Sequence, residues 1–187
     1  MTPFEFLTVA LSFVLGLAVT LLLTSLLAAF RARRQTRMSW LPLTWAGYVL
    51  VLQFDVWWEV FGLSSLEQWT VGAFVLLLLV ALLLFAAGGL VLPSGMDEYP
   101  TDLEEYFRQD GRWGVRMVAV FCLVGSIANV ALFDLGFFST VNIFNFLGAA
   151  IVTVVVGARR PLIHGSATIL FGVWLAAYLW SFVPRTY

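Results

Sequence analysis

The sequence predicts an all-α membrane protein, a single bundle of six transmembrane helices with both termini outside. Three observations carry that expectation. Hydrophobic residues make up 61% of the 187-residue chain and charged residues only 11%. That is too little polar surface for a soluble domain, so the bilayer must act as solvent for most side chains. The apolar stretches are continuous, as in Phe74–Phe85, whereas a membrane barrel would alternate apolar and polar residues in runs of about ten. Lipid offers no partners for backbone amides, so continuous runs of this kind must be helical. Finally, the basic residues sort onto one side of the spans.

The first span, roughly 4–30, carries Thr8, Ser12, Gly16, Thr20 and Thr24 at steps of four. They form one slowly turning stripe. Small residues at this spacing let another helix approach closely; the alternative is a hydroxyl stripe lining a pore. The basic residues Arg31, Arg33, Arg34 and Arg37 follow this span instead of preceding it, so it reads as a retained helix and not a cleaved signal peptide.

The second span, roughly 40–62, places Asp55 and Glu59 one turn apart on a face that Tyr48 and Leu52 extend inward. Asp55 falls roughly 10 Å below the outer end at 1.5 Å per residue. A carboxylate at that depth costs several kcal/mol unless it is paired, wetted or protonated, which makes an intramembrane acid a candidate functional group. The third span covers roughly 68–92.

The linker 93–112 is the one sizeable polar segment, and it is acidic through Asp97, Glu98, Asp102, Glu104, Glu105 and Asp110. Thr101 and Glu104 have capping-box spacing, which predicts a short interfacial helix over about 102–109. Its acids either dock on the arginines after span one or stay solvated while those arginines meet anionic lipid.

The fourth and fifth spans, roughly 113–133 and 137–157, carry Asn129 with Asp134, and Asn142 with Asn145, in their outer parts. Phe54-Asp55 and Phe133-Asp134 occupy comparable places before short turns, so spans two–three and four–five are candidate repeated hairpins. The sixth span, roughly 163–183, has a small face of Gly165, Thr168, Gly172 and Ala176, which suits helix packing.

Arg31, Arg33, Arg34, Arg37, Arg108, Arg112, Arg116, Arg159 and Arg160 all fall on one side of these spans, and Arg185 alone on the other. The positive-inside rule then places both termini outside and the arginine-bearing linkers in the cytoplasm. Trp40, Trp57, Trp58, Trp69, Trp113 and Trp180 sit near span ends, as an aromatic belt requires.

Several chemistries drop out. Cys122 and His164 are the only cysteine and histidine and there is no lysine. An intramolecular disulfide, a multi-cysteine metal site, a bis-histidine haem and a lysine Schiff base are therefore ruled out within one chain. No cofactor and no metal site is expected, and nothing points to nucleic acid. A Ser126–His164 dyad fails on depth, since the two should lie more than about 15 Å apart at helical rise.

Short segments across most of the chain resemble a family of small polytopic bacterial inner-membrane proteins of unknown function. They are Phe4-Glu-Phe with Leu15-Gly-Leu, the Arg31/Arg33 run, Trp57-Trp58, Leu92-Pro before the acidic segment, Asp102-Leu with Tyr106-Phe107, Arg112-Trp113, and Arg159-Arg160 with His164. The resemblance implies a multi-pass location in the bacterial inner membrane and brings no activity. Asp55 lies outside its pattern.

Acids and amides gather in the outer halves of the spans, while the inner halves offer only hydroxyls such as Thr20 and Thr153. An outward-opening polar pocket among spans one, two, four and five follows, with little support for a continuous hydrophilic path through one subunit. Such a pocket suits a proton, a cation or a small polar ligand held by Asp55, Glu59, Asn129, Asp134, Asn142 and Asn145. The expected function is an ion or proton channel, a transporter or an ion-responsive binding protein. A conducting path can instead form between copies in a homo-oligomer, lined by the stripe on span one. The competing expectation is a non-catalytic assembly subunit that binds a protein partner at its cytoplasmic face, through Arg31, Arg33, Arg34, Arg37, Glu104 and Glu105.

Overall fold

The computed structural model describes residues 2–65, 69–94, 101–158 and 160–182. The chain runs through α1 (Pro3–Ala32), α2 (Trp40–Glu59), α3 (Val71–Val91), a short α4 (Leu103–Tyr106), α5 (Arg112–Phe133), α6 (Thr140–Gly157) and α7 (Pro161–Phe182). No strand occurs among the described residues. Five helical stretches are long and apolar enough to cross a membrane: α1, α3, the run 103–133, α6 and α7. Among the six long helices α2 stands apart, because Gln53, Asp55 and Glu59 interrupt its apolar sequence.

Local chemistry sets the helix ends. Thr2 and Glu5 form a reciprocal capping box, with Glu5 N donating to Thr2 Oγ1 at 3.1 Å and Thr2 N to Glu5 Oε2 at 2.8 Å, and Pro3 follows at the first helical position. Thr70 caps α3 by accepting from Ala73 N. After Glu59 the chain tightens into a 3-10 turn over Val60–Ser65.

The segment before α5 departs from the expectation. Asp102, not Thr101, is the cap: its Oδ1 accepts from Glu104 N at 2.8 Å and Glu105 N at 3.2 Å. An aspartate oxygen at this position reaches two of the free amides of the first turn. The helix expected over about 102–109 is present as α4 and the turn that follows it, continuous with α5. A π-turn over Phe107–Gly111 carries α4 directly into α5. Residues 95–100, including Asp97 and Glu98, lie outside the described residues, as do Arg159 and Arg185.

The long helices pack in the order α1–α3–α5–α6–α7–α2, and α2 returns to α1 to close a ring while also touching α3. Close approaches at Gly114 and Gly172 show why glycine stands there. A Cβ on Gly114 would meet Val91 N at 2.7 Å and Ala87 O at 2.8 Å, so α5 lies almost backbone to backbone on α3. A Cβ on Gly172 would run into the Tyr48 hydroxyl. Gly165, Thr168 and Gly172 of the small face of α7 pack against the aromatic face of α2, while Ala176 is exposed: Trp45 Nε1 donates to Thr168 Oγ1 at 3.2 Å and Tyr48 to Thr168 O at 3.2 Å.

The ring encloses Leu22, Trp45, Leu52, Leu84, Val118, Phe171 and their neighbours. Its outer surface is apolar as well, with Phe13 71% and Leu170 54% exposed, as for a multi-pass protein surrounded by lipid.

The described arginines gather at one end of the ring. Two contacts tie their segments together there. Arg37 N donates to Thr101 O at 2.8 Å and Leu103 N to Arg37 O at 3.1 Å, a short parallel bridge. Arg112 Nη2 donates to Ala158 O at 3.1 Å. The linker after α1 thus docks beside the acidic segment through backbone groups of 37 and 101–103.

Candidate functional site

Helix α2 starts at the arginine end and finishes at the opposite end with its two acids. Asp55 and Glu59 share one face, as their spacing requires. Asp55 is buried at 6% exposure, and its Oδ1 has no hydrogen-bond partner among the described residues. Glu59, one turn nearer the end of the helix, is close enough for the two carboxyls to repel when both are ionised.

Glu59 opens onto a cavity of about 90 Å³ inside the ring, room for several water molecules. Its polar lining comprises Glu59, Asn129, Asn145 and Tyr178, with Trp174 and Cys122 beside them. Tyr178 donates its hydroxyl to Glu59 Oε1 at 3.2 Å. Trp174 stacks on Tyr178 with ring centroids 5.6 Å apart and is pinned by Nε1 donating to Phe144 O at 2.9 Å. Gly148 makes room for that indole, since a Cβ there would reach the Trp174 ring at 2.5 Å.

The asparagines divide. Asn142 is fully buried, and its side chain is spent on structure: Nδ2 donates to Gly136 O at 3.1 Å and Oδ1 accepts from Asn129 Nδ2 at 3.0 Å. Asn142 is therefore interhelical glue between α5, α6 and the turn joining them, and does not line the cavity. Asn129 and Asn145 do line it.

Asp134 is not brought to the site either. It is exposed and adopts a left-handed conformation, φ 51°, as the residue that ends α5, with its N–H on Asn129 O. Aspartate is among the few residues besides glycine that tolerate this geometry. Asp55 sits inside a helix instead, so the two Phe-Asp pairs are not equivalent positions of a repeat.

The stripe on α1 turns away from the cavity. The buried face of α1 is Leu7, Leu11, Leu15, Ala18 and Leu22. Thr20 and Thr24 are exposed and return their hydroxyls to Gly16 O and Thr20 O, and a Cβ on Gly16 would meet nothing within 4 Å. Thr8 and Ser12 border an open groove with Val9 and Phe13. Among the described residues, Gly16, Thr20 and Thr24 are not in close contact with another helix of this chain.

At the arginine end, Arg33 lies over the Phe30 ring at 3.9 Å and donates to Phe30 O, while Arg34, Arg37 and Glu105 are exposed and Glu104 half-buried. Ser126 donates to Cys122 O. His164 instead packs edge-on against Phe107, 5.7 Å between centroids, and Phe107 precedes Ser126 by roughly 28 Å of helix. These two cannot form a catalytic pair. Among the described residues no three His, Cys, Asp or Glu side chains come together as a metal site would need.

The sequence reading missed two contributors, Tyr178 and Trp174 of α7, and a buried amide outside the cavity, Gln53, which faces α3. Gln53 is fully buried, donating Nε2 to Leu84 O at 3.2 Å and leaving Oε1 unpartnered among the described residues. A depth count finds Tyr178, since it lies as near the end of α7 as Asp55 does to the end of α2. Compared with known proteins, the chain matches no family model, no curated sequence and no solved structure.

Proposed function

We propose that this chain is an ion-responsive binding protein of the bacterial inner membrane, with a proton or a small cation as ligand of the acid pair Asp55 and Glu59, of which Glu59 lines the cavity and Asp55 lies one turn behind it. In this reading α2 is a sixth span, both termini lie outside, the arginine-bearing segments face the cytoplasm, and the cavity opens outward. The observation that carries it is the buried Asp55, with one unpartnered oxygen, placed one turn from a cavity-lining Glu59 whose own oxygen receives Tyr178. Buried acids of this kind are expensive, and a bound proton or cation is the simplest compensation.

Asn145 and Asn129 supply neutral oxygens on the opposite wall, a donor set that suits a hard cation. Binding is favoured over conduction because the ring between the cavity and the arginine end is filled by Trp45, Phe171, Leu84 and Val118. Apolar side chains at packed density leave no hydrated route.

The test is thermal unfolding of purified protein in detergent, titrated with sodium, potassium, calcium and acid, alongside ion flux in liposomes. Saturable stabilisation by one cation or by protons, lost in Asp55→Asn and Glu59→Gln, is the expected result. Flux lost in Asp55→Asn would replace binding by conduction. Titrations identical in wild type and both variants would remove the acids from any ligand role.

A further inference from the structure

At the opposite end of the ring lies a second cavity, of about 30 Å³, between the π-turn after α4, the start of α5 and the α6–α7 turn. We propose that it is an anion site for a phosphate group. Its charged and polar lining is Arg108, Arg112, Arg160, His164 and Glu104. Three guanidinium groups against one carboxylate leave the wall net positive whatever the state of the imidazole.

Two buried groups lack partners at this spot. His164 is only 4% exposed, and neither ring nitrogen has a hydrogen-bond partner among the described residues. Its ring neighbour is Phe107, in a T-shaped contact with no oxygen or nitrogen acceptor. Arg112 is held by one bond, Nη2 to Ala158 O, which leaves its buried Nε free. Buried polar atoms are seldom left unsatisfied, and each such atom signals a missing partner. In either tautomer His164 presents one N–H, and Arg112 Nε presents another.

The charges point the same way. Arg108 and Arg116 both lie near enough to Arg112 to repel it, and Arg116 is turned onto the Trp113 ring, 4.0 Å from its centroid. Arg108, Arg112 and Arg160 line the cavity, and like charges gathered at one wall favour a counter-anion. The cavity also faces the first turn of α7, a 22-residue helix whose opening amides have no intrahelical acceptor and whose dipole favours negative charge.

Phosphate fits better than a carboxylate. Arginine forks match its oxygens bidentately, and the space admits about two or three oxygen-sized spheres, one face of a tetrahedral group. The exposed Trp40 and Trp113 bracket this end, which sets the cavity at the depth of lipid headgroups. A lipid headgroup and free phosphate share this chemistry.

The experiment uses the full-length protein, purified and delipidated in neutral detergent, with unfolding temperature as readout. One arm adds inorganic phosphate against chloride at matched ionic strength. The other adds dioctanoylphosphatidylglycerol against dioctanoylglycerol, which lacks the phosphate. Arg108→Gln/Arg160→Gln removes two exposed wall charges without touching the Arg112–Ala158 bond, and Arg33→Gln/Arg34→Gln removes two charges elsewhere at the same end.

Saturable stabilisation is expected, with apparent affinity at least about tenfold weaker in Arg108→Gln/Arg160→Gln and unchanged in Arg33→Gln/Arg34→Gln. Stabilisation in both arms means the site admits free phosphate; stabilisation by the phospholipid alone makes it a headgroup site. No stabilisation in either arm overturns the proposal. So does an equal loss in the two double variants, which would reduce the effect to general surface charge.

Discussion

The Tyr178 hydroxyl donates to Glu59 Oε1 at 3.2 Å across 119 residues of sequence. That bond joins the last helix to the end of the second and forms one wall of the 90 Å³ cavity. Tyr178→Phe keeps the ring and its stacking on Trp174 and removes only the donor. The expected loss is about 1–2 kcal/mol, read as a lowered unfolding temperature in detergent. A double-mutant cycle with Glu59→Gln should return a coupling of about 1 kcal/mol; a coupling of zero would mean the bond contributes nothing.

Asp55→Asn should move stability in the other direction. The variant keeps the shape of the side chain and removes a carboxyl that repels Glu59 when both are ionised. A gain of about 1–3 kcal/mol is expected at alkaline pH, where both acids lose their protons, and it shrinks toward neutral pH, together with loss of any cation-dependent stabilisation. Stability sacrificed at a ligand site is restored when the ligand group is deleted, so an unchanged or lower unfolding temperature would count against the site.

Asn142 and Asn145 are one turn apart and should behave differently. Asn142→Ala strands the Asn129 amide and the Gly136 carbonyl and should cost about 2–4 kcal/mol through two lost bonds. Asn145→Ala enlarges the cavity wall and should cost about 1 kcal/mol or less while weakening ligand response. Chemical denaturation of each variant, followed by ligand titration, separates the two roles.

Gly114→Ala tests the α3–α5 contact. The added methyl would lie 2.7 Å from a backbone nitrogen and 2.8 Å from a backbone oxygen, atoms that cannot rotate away. A loss of about 3 kcal/mol or more is expected, with poor recovery of folded protein by size-exclusion chromatography. Gly16→Ala, where a Cβ meets nothing, is the matched control and should fold normally.

Orientation is open to cysteine labelling, since Cys122 is the sole cysteine and is buried. In a Cys122→Ala background, a cysteine replacing exposed Phe138 should react with a membrane-impermeant maleimide on intact spheroplasts. One replacing exposed Arg34 should react only after permeabilisation. The reverse pattern would invert the proposed topology.

The helices were legible because continuous apolar runs permit few alternatives. Spans expected at 4–30 and 113–133 are helices at 3–32 and 112–133. The Asp55–Glu59 face was legible for the same reason, since a spacing of four fixes a shared face in any helix. Helix order was not, because periodicity states which face is polar and not which neighbour it meets. That is why Tyr178 and Trp174 were missed and why Asp134, whose role is set by a backbone angle, was grouped with the pocket. The stripe on α1 misled for a related reason: small-residue spacing permits close packing but does not require a partner within the same chain.

Ring closure between α7 and α2 also governs how the protein is made. Helix α2 is the long helix with the poorest claim to a place in lipid by its own composition, and the neighbour that covers its aromatic face emerges last. The chain must hold an acid-bearing helix in waiting while 119 further residues are synthesised, a contact of high sequence separation that forms late. Without α7, Trp45, Tyr48 and Glu59 lose the Thr168 and Tyr178 groups they meet in the folded ring. The helix Pro161–Phe182 is therefore both a wall of the cavity and the element that completes the cover of α2.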